Sequence, residues 1–246
     1  MSSSSSPIIT SLQNKRVKEL VSLHSKKGRD EQQSFLIENK HLIEEAIKTN
    51  QLTELIVSDT YEGELDFHNK LIVTDVICQK ISQTTSKSQI FGLCKFKKQE
   101  LKGNYYLVCD NVQDPGNLGT LIRSVVSFGW DGVIVSNNSS DFYNDKCIRA
   151  TQGALFHTEL HRGNLIELLI QLKQKGLKVV STDVHQAQPL SKLDKSPMAL
   201  VVGSEGQGVS QEIVMMSDDV VMIESSHFES LNVGIAGSIL LYVLRN

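Results

Sequence analysis

Beyond residue 105, short runs of Val, Ile and Leu recur between stretches of helix length, and this rhythm constrains the fold more than any other feature of the chain. Strands are predicted at 105–109, 132–135, 177–181, 198–202 and 220–223, and helices from about 118, over 165–175 and from about 231. Apolar strands separated by helices belong to a mainly parallel sheet covered on both faces. Such a sheet presents ligand sites at the loops beyond the carboxyl ends of its strands. Upstream, helical spacing over 15–23 and 42–47 and strand-like runs at 34–37, 52–57, 71–77 and 90–96 predict a smaller α/β unit. The charged, glycine-containing stretch 97–104 is the natural boundary, giving domains 1–97 and 98–246.

Composition excludes several classes. The chain has 246 residues, 40% hydrophobic and 22% charged, the profile of a soluble globular protein. No apolar run approaches the roughly 18 residues of a membrane span, and Met1 followed by serines lacks the pattern of a secretory signal. Cys78, Cys94, Cys109 and Cys147 show no metal-ligand spacing. They are expected to be buried free thiols, in keeping with the cytoplasm, and no metal site is expected. A net charge of -3 is silent about nucleic acid, since local patches decide. The stretch 11–30 holds Lys15, Arg16, Lys18, Lys26, Lys27 and Arg29 against Glu19 and Asp30. Charge alone leaves a solvated helix face and an RNA contact equally open.

Three segments fall on the expected ligand loops. The first, Asp110 to Arg123, leaves a strand, turns through Pro115 and Gly116, and enters a helix with Asn117 as the expected cap. Arg123 follows less than two turns later, so amide and guanidinium are expected to serve one pocket. Taken alone, a helix cap and a surface arginine explain the pair. The second, Val201 to Ser210, follows an apolar strand with Gly203, Gly206 and Gly208 around Glu205. Those glycines permit close ligand approach, yet neither the Gly-x-Gly-x-x-Gly fingerprint nor the P-loop lysine is present. The third, His227 to Tyr242, places Ser230 as a possible cap, Asn232 in the first turn, and small Gly234, Ala236, Gly237 and Ser238 behind them. Small residues there imply something nearly touching the helix backbone.

Together these segments resemble the SpoU, or TrmH, family of RNA ribose 2′-O-methyltransferases, of the SPOUT class. The matching residues are Asn117 with Arg123, Gly203-Ser204-Glu205-Gly206, and Ser230-Leu231-Asn232-Val233. Residues 9–18 and Phe35-Leu36-Ile37-Glu38 also resemble the opening of the family's substrate-binding domain. The resemblance implies an α/β fold with a C-terminal parallel-sheet SPOUT domain carrying a deep trefoil knot, after a small ribosomal-protein-L30e-like α/β domain. It implies S-adenosylmethionine as cofactor, a homodimer joined through the knotted domain, and structured RNA as substrate, ribosomal ahead of transfer RNA. Asn117, Arg123, Glu205, Ser230 and Asn232 then hold catalytic positions. Val202, Gly203, Ser204, Gly206, Met222, Ile223 and Leu231 hold the cofactor, and Asn14, Lys15, Arg16, Lys18, Arg29 and Arg123 meet RNA.

By resemblance Arg123 is either the base that accepts the hydroxyl proton or a clamp on the neighbouring phosphate. Its very high pKa favours the clamp. Two departures from the family pattern stand out. Met222-Ile223-Glu224-Ser225-Ser226 replaces an Ile-Pro-Met type segment, losing a proline and adding a carboxylate beside the cofactor, and Asn39 stands where glycine is common. These departures leave a second reading, an RNA-binding protein that keeps the fold without efficient catalysis. A nicotinamide-dependent oxidoreductase is a third, and it lacks its glycine fingerprint.

Overall fold

The computed structural model describes residues 7–85, 88–97, 100–183, 188–190, 193–204, 206–223 and 231–245. The chain divides into two compact units, one of residues 1–98 with 143–148, the other of 99–142 with 149–246. The return of 143–148 to the first unit has no signal in the sequence. It brings Tyr143, whose ring stacks on Phe96 at 4.2 Å and on Phe35 at 4.4 Å between centroids.

The first unit runs α1 (Lys15–Ser22), α2 (Lys26–Gln32), β1 (Ser34–Glu38), α3 (Lys40–Lys48), β2 (Leu52–Ser58), β3 (Lys70–Val73), α4 (Asp75–Ile81) and β4 (Ile90–Lys95). The strands form one sheet in the order β1-β4-β2-β3, with only β2 and β3 parallel. Val17, Leu20 and Leu23 of the α1 region and Ile77, Cys78 and Ile81 of α4 bury one sheet face against Leu36, Ile56 and Phe91. The strand predicted over 71–77 ends at Val73 instead. Thr74 takes the N-cap position and the apolar run continues as α4, because Thr-Asp is a helix-start signal that an apolar count overlooks.

The second unit runs β5 (Tyr105–Asp110), α5 (Pro115–Ser127), β6 (Gly132–Ser136), α6 (Asp145–Thr151, begun in the first unit), β7 (Glu159–Gly163), α7 (Leu165–Gln174), β8 (Lys178–Thr182), β9 (Gln188–Pro189), β10 (Met198–Gly203), α8 (Gln211–Met216), β11 (Asp219–Met222) and α9 (Val233–Leu244). All strands join one seven-stranded sheet, β7-β6-β5-β10-β8-β11-β9, and every pairing is parallel, as the rhythm of the sequence requires. Leu165, Leu169 and Leu172 of α7 and Ile213 of α8 close one face over Val108, Ile134, Val179 and Val201. α5 packs on β6 and α9 on β10, and the two helices pack on each other. β7, an edge strand reading Glu-Leu-His-Arg-Gly, escapes prediction because a half-covered edge does not need a run of apolar residues.

Asn39 shows how the chain manages without a glycine. Its backbone sits at φ 81°, ψ 152°, a region almost reserved for glycine, while its Oδ1 caps α3 by accepting the N–H of Leu42 at 3.0 Å. Asn39→Ala loses the cap and keeps the strain, so urea denaturation should show a loss of about 1–3 kcal/mol. Asn39→Gly trades the cap for relief of strain and should stay within about 0.5 kcal/mol of the parent.

Candidate functional site

The site in the second unit begins where two helices meet. α5 starts after Asp114, whose Oδ1 accepts the N–H of Asn117 at 2.8 Å, with Pro115 filling the first helical position. Asp114 is therefore the cap expected of Asn117, and Asn117 lies in the first turn. α9 is capped by Asn232, the residue expected in its first turn. The Oδ1 of Asn232 accepts from Gly234 at 3.0 Å and Ile235 at 3.3 Å. The other end of the same amide reaches across, Asn232 Nδ2 donating to Asn117 Oδ1 at 3.2 Å. The two asparagines, 115 residues apart in sequence, thus form one polar point.

Small residues make this approach possible. A Cβ on Gly234 would stand 3.3 Å from Asn117 Oδ1, and one on Gly237 would stand 2.4 Å from Leu121 Cδ2. Farther along, the Ser124 and Ser238 hydroxyls are 2.7 Å apart, and Trp130 Nε1 donates to the Leu241 carbonyl at 3.2 Å. The object touching the small-residue face of the last helix is therefore α5.

The glycine turn follows β10 directly. Gly208, at φ 65°, donates its N–H to the Ser204 carbonyl at 2.9 Å, and Gln207 N–H reaches Ser204 Oγ at 3.3 Å. A Cβ on Gly203 would lie 1.9 Å from the Gly208 carbonyl carbon, so the turn folds back on a position only glycine can occupy. A Cβ at Gly206 would meet none of the described residues within 4 Å. Val202, buried, and Gly203 end β10, Met222 ends β11 with Ile223 after it, and Leu231 is exposed just ahead of α9. A glycine turn at the carboxyl ends of parallel strands fits a ligand held by backbone groups. Glu205, Ser230 and Glu224 lie outside the described residues.

Sequence reasoning missed the residues that hold the β5–α5 loop. Asn111 N–H donates to Ser136 Oγ at 3.0 Å and Val112 N–H to Ser139 Oγ at 3.2 Å, while Asn111 takes φ 58°. The serine loop is in turn gathered by Arg162 of β7. Its guanidinium donates to the carbonyls of Ser136 at 2.9 Å, Asn137 at 3.2 Å and Ser139 at 2.9 Å, and also to that of Ser140. Backbone carbonyls carry no sequence signature, so nothing in the chain marked Arg162.

Arg123 is exposed and makes no ion pair among the described residues. Helix geometry sets it about 9 Å along α5 and about 120° around from Asn117. In the first unit, Lys15 and Lys18 are exposed. Asn14 caps α1 by accepting the Arg16 N–H at 2.8 Å, and Arg16 is paired with Glu54 at 2.5 Å and Glu19 at 3.1 Å. Arg29 corrects the expectation of an RNA contact. It is 4% exposed and donates to the carbonyls of Leu23 at 2.7 Å and His24 at 3.0 Å, so its guanidinium closes the α1–α2 turn. Burial pushes the Cys78 and Cys109 thiols up to about 12, aided by the neighbouring carboxylates of Asp75 and Asp110, which keeps both protonated and unreactive.

These features define an α/β unit with a glycine turn at the carboxyl end of β10, beside the paired first turns of α5 and α9. Residues 104–242 match the SpoU rRNA Methylase family and residues 14–92 the MRM3-like substrate binding domain, and the chain belongs to the SpoU methylase family. It is 34% identical to the 23S rRNA (guanosine(2553)-2′-O)-methyltransferase RlmP of Bacillus subtilis, covering 96% of this chain and 98% of that one. Among solved structures, an AdoMet-bound rRNA methyltransferase from Sinorhizobium meliloti aligns with a TM-score of 0.85 at 26% identity over 97% of both chains. A putative TrmH-family RNA methyltransferase from Porphyromonas gingivalis aligns with a TM-score of 0.86 at 27% identity over 96% of this chain and 98% of that one.

Two glycine substitutions separate the turn from the helix contact. Gly203→Ala drives a Cβ into backbone and should cost about 3 kcal/mol or more in thermal or urea unfolding. Gly237→Ala meets the end of a leucine side chain that can shift, and should cost about 1 kcal/mol.

Proposed function

We propose that this chain transfers the methyl group of S-adenosylmethionine to a ribose 2′-hydroxyl of ribosomal RNA, with 23S RNA the substrate favoured by the relative from Bacillus subtilis. The observation that carries the reading is the Asn232–Asn117 bridge, which places the family's first and third polar segments in contact at the carboxyl end of the sheet. When bound, the cofactor supplies a methyl already activated on a sulfonium centre. The chain has only to align the ribose oxygen, exclude water and accommodate the departing proton. The turn 203–208 with Met222, Ile223 and Leu231 holds the cofactor through backbone groups. Asn117 and Asn232 shape the wall that receives the ribose, and Glu205 and Ser230 complete the polar set by family position.

Arg123 clamps the phosphate beside the target ribose. A guanidinium stays protonated at any pH the enzyme meets, and its planar fork matches phosphate oxygens. By family resemblance the site draws residues from both copies, so Arg123 serves the site of a second copy and the working unit is a homodimer. In support, α9 exposes Ile235, Ile239, Tyr242 and Val243, an apolar stripe at helical spacing beside α5. The deep trefoil knot is part of the same proposal. β10 forms late in the chain yet lies between the earlier strands β5 and β8, so the chain re-enters the middle of its own sheet. Lys15 and Lys18 offer RNA a cationic face on the first unit. No helix among the described residues is long and apolar enough to cross a membrane, and we place the enzyme in the cytoplasm with its substrate.

Single-turnover transfer of tritiated methyl to unmodified ribosomal RNA tests the reading. The parent chain should label a ribose, and Arg123→Lys should lower the rate about 10²-fold with weaker RNA binding and an unchanged alkaline limb. Loss of an alkaline ionisation with RNA binding intact would make Arg123 the base. RNA binding without transfer would establish the non-catalytic alternative.

A further inference from the structure

Asp110 is the last residue of β5 and lies in register with Gly203, the last residue of β10. Its Oδ2 accepts the backbone N–H of Ser210 at 2.8 Å, joining positions 100 residues apart in sequence. Ser210 is the N-cap of α8, with φ −60° and ψ 142°, and its own side chain makes no capping bond. The turn 203–210 is therefore held at one end by the sheet and at the other by a carboxylate. Between these anchors, a Cβ added at Gly206 would meet none of the described residues within 4 Å, and Gly208 sits at φ 65°. Val209 packs into the core with Ile213, and the backbone before it is shaped by the Gly208–Ser204 bond and by the two anchored ends. A hydrogen bond to an ionised acceptor is the stronger kind, suited to fixing one of them.

We infer that Asp110 is a positioning residue for methyl transfer, one that sets the shape of the 203–210 turn so that its backbone receives the methyl donor. The inference rests on the reading of this turn as the cofactor loop. Asp110 acts through Ser210, and the specific consequence is on the donor rather than on RNA.

Asp110→Ala, Asp110→Asn and Ser210→Pro separate this from a general contribution to folding. Proline suits the φ of Ser210 and puts a ring carbon where the N–H was, so the bond is lost and the carboxylate is displaced from its anchor. Calorimetric titration with S-adenosylmethionine should show about tenfold weaker binding for Asp110→Ala, with recovery in Asp110→Asn, whose amide oxygen still accepts. RNA affinity and the KM for RNA should not change. Ser210→Pro should reproduce the loss, and adding Asp110→Ala to it should produce no further one. In the donor-free protein, amide exchange at Gly208 should quicken in Asp110→Ala and not in Asp110→Asn. Parent-like donor binding by Asp110→Ala, or additive losses in the double variant, would overturn the inference. If the parent chain bound no donor, the methyl-transfer reading would fall, and exchange at Gly208 would still decide whether Asp110 holds the turn.

Discussion

The close approach of α9 to α5 is the contact on which the rest of the second unit depends. It brings a segment near residue 117 against one near residue 232 and makes a single polar point of two asparagine side chains. Gly234 and Gly237 allow the helix backbones to come this near, and the serine pair and the Trp130 bond fix the register farther along. Asn232 does two things at once: its oxygen caps the last helix while its nitrogen reaches the neighbouring one. A residue engaged at both ends of its amide has little rotational freedom left.

The remaining side of the site is supported from below by backbone-directed bonds. Arg162 gathers the carbonyls of the loop after β6, the serines of that loop hold Asn111 and Val112, and Asp114 starts α5. The polar residues of the family pattern are thus displayed on a scaffold made by other residues. Each supporting bond joins one side chain to a main-chain atom, so the scaffold depends both on where the chain runs and on Arg162, Ser136, Ser139 and Asp114.

That division explains what was legible in the sequence. The parallel sheet could be read directly, since strands buried on both faces must be apolar throughout, and 198–203 is apolar up to its glycine. Asn117 and Asn232 could be picked out, but Asn117, expected as a cap, lies in the first turn, and Asn232, expected in the first turn, is a cap. Asp114 and Asn232 are the caps, because cap geometry depends on φ and ψ at one residue and asparagine, aspartate and serine satisfy it alike. Arg29 illustrates the opposite failure. A basic cluster reads as a surface, yet this guanidinium is buried against two carbonyls that close a turn. β7 and the return of 143–148 to the first unit stayed hidden for want of any local periodicity.

The claim that these parts make one ribose methyltransferase is tested most directly by mapping 2′-O-methyl groups on ribosomal RNA from cells with and without this gene. The account predicts that one ribose loses its methyl in the deleted strain and regains it when the parent gene is restored. A methylation map identical in the two strains would contradict it.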